Sequence, residues 1–324
     1  MRVLVTGGAG FIGSHLVDML LGFGYDVVVL DDYSTGSRVN LTGMMVDRPG
    51  RQMWRLDGSV ARPVDVERAM ALGPDVVFHL AAQVDVRRSA EAPRDDAMVN
   101  VMGTITMLQA AETAGVRRFV FVSSAAIFGD QNVEDANYRG RVHELQPSPI
   151  SPYGAAKAAA ELYVELYDRR GGMSCSTVVL SNVYGPRQRP GTGAVNIFAR
   201  ALLAGEPVTL YGDGGNVRDY VWVGDAVRAL AWAGRCLRPD DARPVPAARI
   251  LVGTGIGTTD EELLALVGNE VANQGGGAAR LLHAPARPVD IRRMLFPASD
   301  GMTPTTLADG LALTVQAIRK ELAR

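Results

Sequence analysis

Tyr153 and Lys157 stand four residues apart at the start of a stretch rich in Ala, Glu and Leu. If that stretch is helical, their side chains share one face. The chain carries 33 Lys plus Arg, yet only Lys157 and Lys320 are lysines, so arginine supplies nearly all the positive charge elsewhere. A lysine in that background points to a site that needs a compact ammonium rather than a planar guanidinium. A phenol ordinarily titrates near 10. A cation roughly 4 Å away, at an effective dielectric of about 20, contributes about 4 kcal/mol. At about 1.4 kcal/mol per unit, the phenol is expected to fall by roughly three units. Tyr153 would then take a hydroxyl proton while hydride leaves the same carbon, with Ser124, at the end of a predicted strand, holding the same oxygen. Taken singly, the spacing also describes a surface pair, and Ser124 a strand-end hydrogen bond.

A hydride needs an acceptor, and the N-terminal stretch implies one. Arg2 to Thr6 reads as a strand, glycines follow at 7, 8, 10 and 13, Ile12 to Leu21 has helical spacing, and Val27 to Leu30 is a second strand ending in Asp31-Asp32. Strand, glycine-rich turn, helix, strand, acid is the order of a dinucleotide-binding unit. Gly7, Gly10 and Gly13 allow the tight turn, the approach of a pyrophosphate and close helix packing. Phe11 and Ile12 open the helix whose free N–H groups meet the phosphates. A carboxylate at Asp31, with Asp32 beside it, accepts from ribose hydroxyls and repels a 2′-phosphate, so NAD is favoured over NADP.

The remaining elements have to bring these residues together. A third strand is predicted at Gln52–Leu56, followed by Asp57, which either meets an adenine edge or is a solvated loop acid. Asp75–Leu80 is a strongly apolar strand leading into Ala81-Ala82-Gln83, whose small residues suit close approach by a ligand. Pro93 opens a helix expected to run to Ala114. Arg117–Ser123 is a strand, Tyr153–Arg170 a helix and Ser174–Leu180 another strand. Strands and helices alternating at this length imply an α/β fold with a doubly wound parallel sheet. Beyond 181 the elements shorten, with Ser181–Gly193 read as loop. The expected organisation is therefore an NAD-binding Rossmann domain over 1–180 and a smaller α/β substrate-binding lobe over 181–324, with some segments returning to the first.

Composition narrows the class. A net charge of −2 argues against nucleic-acid and membrane-surface partners. No apolar run approaches the roughly 20 residues needed to span a bilayer, and the N-terminus reads as a strand rather than a signal peptide. Cys175 and Cys236 form no disulfide framework or metal pattern, the four histidines are scattered, and His79 reads as a packed strand residue. A cytoplasmic protein without a metal is expected.

Together, Thr6-Gly7-xx-Gly10-xx-Gly13, Asp31, His79-Leu80-Ala81-Ala82-Gln83, Ser123-Ser124-Ala125-Ala126, Ser151-Pro152-Tyr153-xxx-Lys157, Asn182-Val183-Tyr184-Gly185-Pro186-Arg187-Gln188, Tyr211-Gly212-Asp213-Gly214 and Arg218-Asp219-Tyr220 resemble the extended short-chain dehydrogenase/reductase family, along essentially the whole chain. Within that family the chain most resembles the UDP-glucose 4-epimerase branch. The resemblance implies a redox-neutral isomerase with tightly held NAD, inverting C4 of a UDP-hexose through a 4-keto sugar. It implies Ser124, Tyr153 and Lys157 as catalytic residues. Asn182, Arg189, Arg218, Arg287 and Asp290 would hold the nucleotide-diphosphate sugar, and a homodimer is expected. Ala125 and Ala126 replace the Asp-Glu pair of related 4,6-dehydratases, so elimination lacks its proton carriers. UDP-glucuronate or UDP-GlcNAc epimerases, and decarboxylases or oxidoreductases of nucleotide sugars, are the alternatives. Departures from the branch are Val179 and Leu180, Gly224 in place of an acid, Val289 in place of a glycine, and a shortened Phe296–Thr303 segment. Met294 falls where the family gates N-acetyl sugars.

Overall fold

A computed structural model describes residues 1–42, 52–130, 146–237, 248–277, 280–286, 291–298 and 303–323. In chain order its elements are β1 (Arg2–Thr6), α1 (Phe11–Phe23), β2 (Asp26–Asp31), β3 (Met53–Asp57), α2 (Pro63–Met70), β4 (Val76–His79), α3 (Val86–Glu91), α4 (Pro93–Ala97), α5 (Gly103–Thr113), β5 (Arg118–Ser124), α6 (Pro152–Arg170), β6 (Ser174–Leu180), β7 (Asn182–Tyr184), α7 (Ala194–Ala204), β8 (Val208–Tyr211), β9 (Val217–Trp222), α8 (Val223–Ala233), β10 (Arg249–Val252), β11 (Gly257–Thr259), α9 (Asp260–Asn273), β12 (Leu281–Ala284), β13 (Arg293–Met294) and α10 (Leu307–Leu322).

The chain forms two compact units. The first comprises Met1–Phe128, Pro147–Leu180 and Ala226–Ile250, and the second Gly129–Gln146, Ser181–Asp225 and Leu251–Arg324. A seven-stranded sheet in the order β10-β6-β5-β4-β1-β2-β3 organises the first unit. From β3 to β6 its neighbours run parallel, which makes it the doubly wound Rossmann sheet expected from the alternation. Strands buried on both faces need continuous apolar runs, and Val3, Leu4, Val5, Val27, Val28, Val29, Val77 and Phe78 are all fully buried. The order reverses between β1 and β4, so the C-terminal ends of those two strands form the crevice where such sheets bind ligands.

Several local expectations are corrected. The helix predicted from Pro93 to Ala114 is α4, a π-helical turn at Met98–Met102, and α5. The wider turn falls at Asn100, whose side chain leaves the helix to hold Gln83; π turns of this kind recur at functional sites. An additional short helix, α3, starts where the Asp85 carboxylate caps the N–H groups of Arg87 and Arg88. The segment read as loop from Ser181 contains β7, which is too short to show periodicity and forms by pairing with β9.

In the second unit β11, β9, β13 and β7 form one small sheet, and β12 pairs with β8. Helices α7, α9 and α10 pack through Val195, Phe198, Leu263, Val267, Leu311 and Val315 around Tyr184. The Tyr184 ring meets Tyr220 and Trp222 edge-on. Helix α9 starts with a reciprocal capping box between Thr259 and Glu262, a device worth about 1 kcal/mol. Gly224, which departs from the family's acid, sits where any Cβ would run into the Trp222 indole.

His79 is a packed strand residue, fully buried, bridging Thr6 Oγ1 at 2.8 Å and Thr104 Oγ1 at 3.0 Å. Burial, helped by the Lys157 charge, pulls its imidazole from 6.5 down to about 3. A basic group lowered in the fold favours the folded protein most when neutral. This contribution is complete above 6.5 and is lost as pH falls toward 3, because the unfolded chain binds the proton first. Urea unfolding between pH 7 and 4.5 is expected to show an acid-side loss of about 1.4 kcal/mol per unit from this group; His79→Asn should lessen that slope, and an equal slope in the variant would contradict the assignment.

Candidate functional site

The glycine turn is built by contact. Gly7 is left-handed, at φ +69°, and a Cβ there would lie 2.8 Å from the Ala81 backbone nitrogen. At Gly13 a Cβ would drive into the Gly7 carbonyl. The turn and α1 therefore pack backbone to backbone, with Ala81 N–H donating to Thr6 Oγ1 at 3.1 Å to close β4's exit against β1. Helix α1 begins at Gly10 with no side-chain cap and no acid in its first turn. Its half-buried opening residues, Phe11 and Ile12, leave the N-terminal dipole available to an anion.

Asp31 ends β2 buried, its two oxygens accepting from Ala9 N–H and Tyr33 N–H at 2.8 Å each. Burial raises its pKa, against the pull of those two donors. A carboxylate offers about four lone-pair directions, so acceptor capacity remains for ribose hydroxyls. Asp32 is exposed and turns back on Ser34. Asp57 is exposed and takes a two-pronged ion pair from Arg38, whose guanidinium lies 4.2 Å over the Tyr33 ring. Ala81, Ala82 and Gln83 are half-buried at the end of β4. These residues fit a dinucleotide: a backbone cradle that side chains would fill, an uncapped helix end for phosphates, and a carboxylate at the end of β2.

Ser124, Tyr153 and Lys157 come together in the same unit. Ser124 ends β5, and its Oγ accepts from Ala126 N–H at 3.2 Å. Pro152 opens α6, Ser151 caps it through Gly154 N–H at 3.1 Å, and Ser89 accepts Tyr153 N–H at 3.1 Å. Gly154 abuts the Ala126 carbonyl so closely that no Cβ fits, which brings the start of α6 against the turn after β5. Tyr153 and Lys157 are buried, and the Tyr153 phenol hydrogen-bonds with Ser124. Lys157 Nζ donates to the Val122 carbonyl at 2.9 Å and lies 4.8 Å from the Phe121 ring centre.

The expected coupling of phenol and ammonium is corrected. Burial pushes Tyr153 up to about 12; its Ser124 hydrogen bond opposes this and the Asp96 charge adds to it, with no pull from Lys157 among the causes. Lys157 makes its contacts with the Val122 carbonyl and the Phe121 ring instead. Burial takes Lys157 down to about 8, against the charges of Asp96 and Glu161.

The expected sugar-binding residues lie in the second unit. Asn182 lies on β7 opposite Tyr220, and its Nδ2 donates to the Asp219 carbonyl at 3.4 Å. Half-buried Arg218, two residues before Tyr220, donates to the Val217 carbonyl at 2.9 Å and pairs in register with buried Met294. Arg189 is exposed. Arg287 and Asp290 lie outside the described residues.

Sequence reasoning missed Thr6, Ser89, Asp96 and Asn100. Each acts through burial against another element, and an acid or amide inside a helical stretch carries no mark of that. Gly154, next to Tyr153, was the one visible sign that α6 starts in tight contact.

A family model described as "NAD dependent epimerase/dehydratase family" matches residues 3–242. The chain is 38% identical over 336 residues to a UDP-glucose 4-epimerase of Mycolicibacterium smegmatis, covering 99% of each. It is similar to the Thermus thermophilus UDP-glucose 4-epimerase solved with NAD, at 38% identity and TM-score 0.85, over 98% of this chain and 99% of that one. It is likewise similar to the Thermotoga maritima UDP-glucose 4-epimerase solved with UDP-glucose, at 37% identity and TM-score 0.85, over 99% and 100%.

Gly13→Ala is expected to cost about 1–3 kcal/mol through backbone crowding and to strip NAD from the purified protein. Thermal melting and extraction of bound nucleotide test this; a variant that keeps its full NAD complement would show that the turn tolerates a side chain.

Proposed function

The chain belongs to the NAD dependent epimerase/dehydratase family, and we propose that it is an NAD-dependent epimerase inverting C4 of a UDP-hexose. The observation that carries this reading is the meeting of Ser124 and Tyr153 over a buried Lys157, followed by alanines at 125 and 126. When bound, NAD supplies reversible hydride acceptance. The protein's own groups do the rest.

A sugar hydroxyl placed at the Ser124–Tyr153 pair would hand its proton to Tyr153 in the phenolate form, which the positive nicotinamide ring of bound NAD would favour, and take it back, while Ser124 holds the oxygen that becomes a carbonyl. Such a positioned base contributes roughly 10²–10⁴-fold. The buried Lys157 ammonium keeps a positive charge under the site in a region of low dielectric, where it counts for more than in water. Ala125 and Ala126 offer no proton carrier for elimination, so the keto sugar has only reduction open to it. Arg218, Asn182 and Arg189 are the groups we assign to the diphosphate and sugar, with Arg287 and Asp290 completing that set. Arginine's fork matches phosphate oxygens two at a time.

We also assign a homodimer. Met98 and Met102, and Leu162, Tyr163 and Leu166, are exposed apolar residues of the first unit, in i,i+4 stripes on the π turn and on α6. The cytoplasm is the compartment this reading implies, supported by Cys175 and Cys236, both buried free thiols. Among the described residues no helix is long and apolar enough to cross a membrane.

Incubation with UDP-glucose, followed by proton NMR, is expected to give UDP-galactose without added NAD, and Tyr153→Phe should lower the rate by roughly 10²-fold or more. No C4 inversion of UDP-glucose by the unmodified protein, or a stoichiometric build-up of NADH, overturns the proposal. Sedimentation is expected to give a dimer that Leu166→Arg dissociates; an unchanged sedimentation coefficient in that variant removes α6 from the interface.

A further inference from the structure

One carboxylate close to this site has no part in the chemistry above. Asp96, in α4, is 1% exposed. Its Oδ1 accepts from Gln83 Nε2 at 2.8 Å and from Asn100 Nδ2 at 3.0 Å. Its Oδ2 is buried and has no hydrogen-bond partner among the described residues. Asn100 in turn grips the Gln83 backbone from both sides, accepting its N–H at 3.0 Å and donating to its carbonyl at 2.9 Å. Burying a carboxylate away from water is costly unless an opposite charge faces it, and the ammonium its field reaches is Lys157.

We propose that Asp96 is a positioning residue for the reaction: its fixed negative charge holds Lys157 as the ammonium, while its Oδ1, with Asn100, sets the Ala81–Gln83 loop. The catalytic meaning rests on the epimerase reading, whereas the charge relation between Asp96 and Lys157 stands without it. The groups acting on Lys157 can be named element by element: Glu161 from α6, Asp96 from α4, His79 from β4, and the Val122 carbonyl and Phe121 ring from β5. His79 is held neutral by its burial. Glu161 is the other carboxylate, and it is paired with Arg249 at 3.1 Å. Asp96 acts more strongly on Lys157 than Glu161 does, and its charge also raises Tyr153.

Because the chain has only two lysines, the test reads Lys157 directly. Protein labelled with ¹³C at lysine Cε, purified with its bound nucleotide, is titrated by NMR, with Lys320→Arg assigning the two signals. Asp96→Asn keeps an acceptor at Oδ1 for Gln83 and Asn100 and removes only the charge. Loss of a nearby negative charge disfavours the ammonium, so the Lys157 midpoint is expected to fall by roughly 0.5 unit or more. Glu161→Gln should move it less, and Asp96→Glu should restore it. Since the same charge raises Tyr153, the acid limb of the kcat–pH profile is expected to move to lower pH in Asp96→Asn, a change that loosened packing alone does not produce. A Lys157 midpoint that stays in place or rises in Asp96→Asn overturns the proposal. If that variant does not fold, a midpoint in Asp96→Glu displaced as far as in Glu161→Gln does the same. Absence of sugar turnover by the unmodified protein sinks the epimerase reading but leaves the titration readable.

Discussion

An ammonium taken out of water is the constraint on which the first unit depends. Burying a lone cation costs several kcal/mol even after relaxation, and Lys157 is 3% exposed. Four groups offset that cost: the Val122 carbonyl, the face of Phe121, and the carboxylates of Asp96 and Glu161. They come from β5, α4 and α6, so the buried ammonium has its partners only when sheet and helices have closed around it. Even then burial brings it down to about 8.

Much of the surrounding geometry serves this closure. Ser89 takes the Tyr153 N–H, Ser151 caps the first turn of α6, and Gly154 lets that turn touch the carbonyl of Ala126. The π turn at Met98–Met102 gives up regular helix geometry so that Asn100 and Asp96 can hold Gln83. His79 links the same region to the glycine turn through Thr6, whose hydroxyl also receives Ala81 N–H. One chain of hydrogen bonds therefore runs from the glycine turn through Thr6, His79 and Thr104 to Asn100 and Gln83, and in a low-dielectric interior such chains are strict about geometry.

The phenol and ammonium are arranged differently from the simplest picture. Two side chains on one helical face invite the idea that the cation pulls the phenol down. Here the ammonium is committed to the strand below, and burial leaves Tyr153 at about 12. The positive charge acts on the site as a whole, and Tyr153 depends on its partners, Ser124 first, for proton exchange.

The residues proposed to bear the chemistry were legible in the sequence because their types are scarce and their spacing is local. A lysine among arginines, a tyrosine four residues before it, and glycines ahead of a helix and an acid each state a requirement that neighbours along the chain satisfy. The parallel sheet followed in the same way from apolar runs alternating with helical periods, since a doubly buried strand tolerates little else. The tertiary structure alone decided what depends on contact across the fold: the break in the helix at Asn100, the pairing that makes Asn182–Tyr184 a strand, the direction in which Lys157 points, and the burial of Asp96. An acid in a helix reads as solvated until another element covers it, and the field of a charge is set by distance and dielectric, neither of which is written in the order of residues.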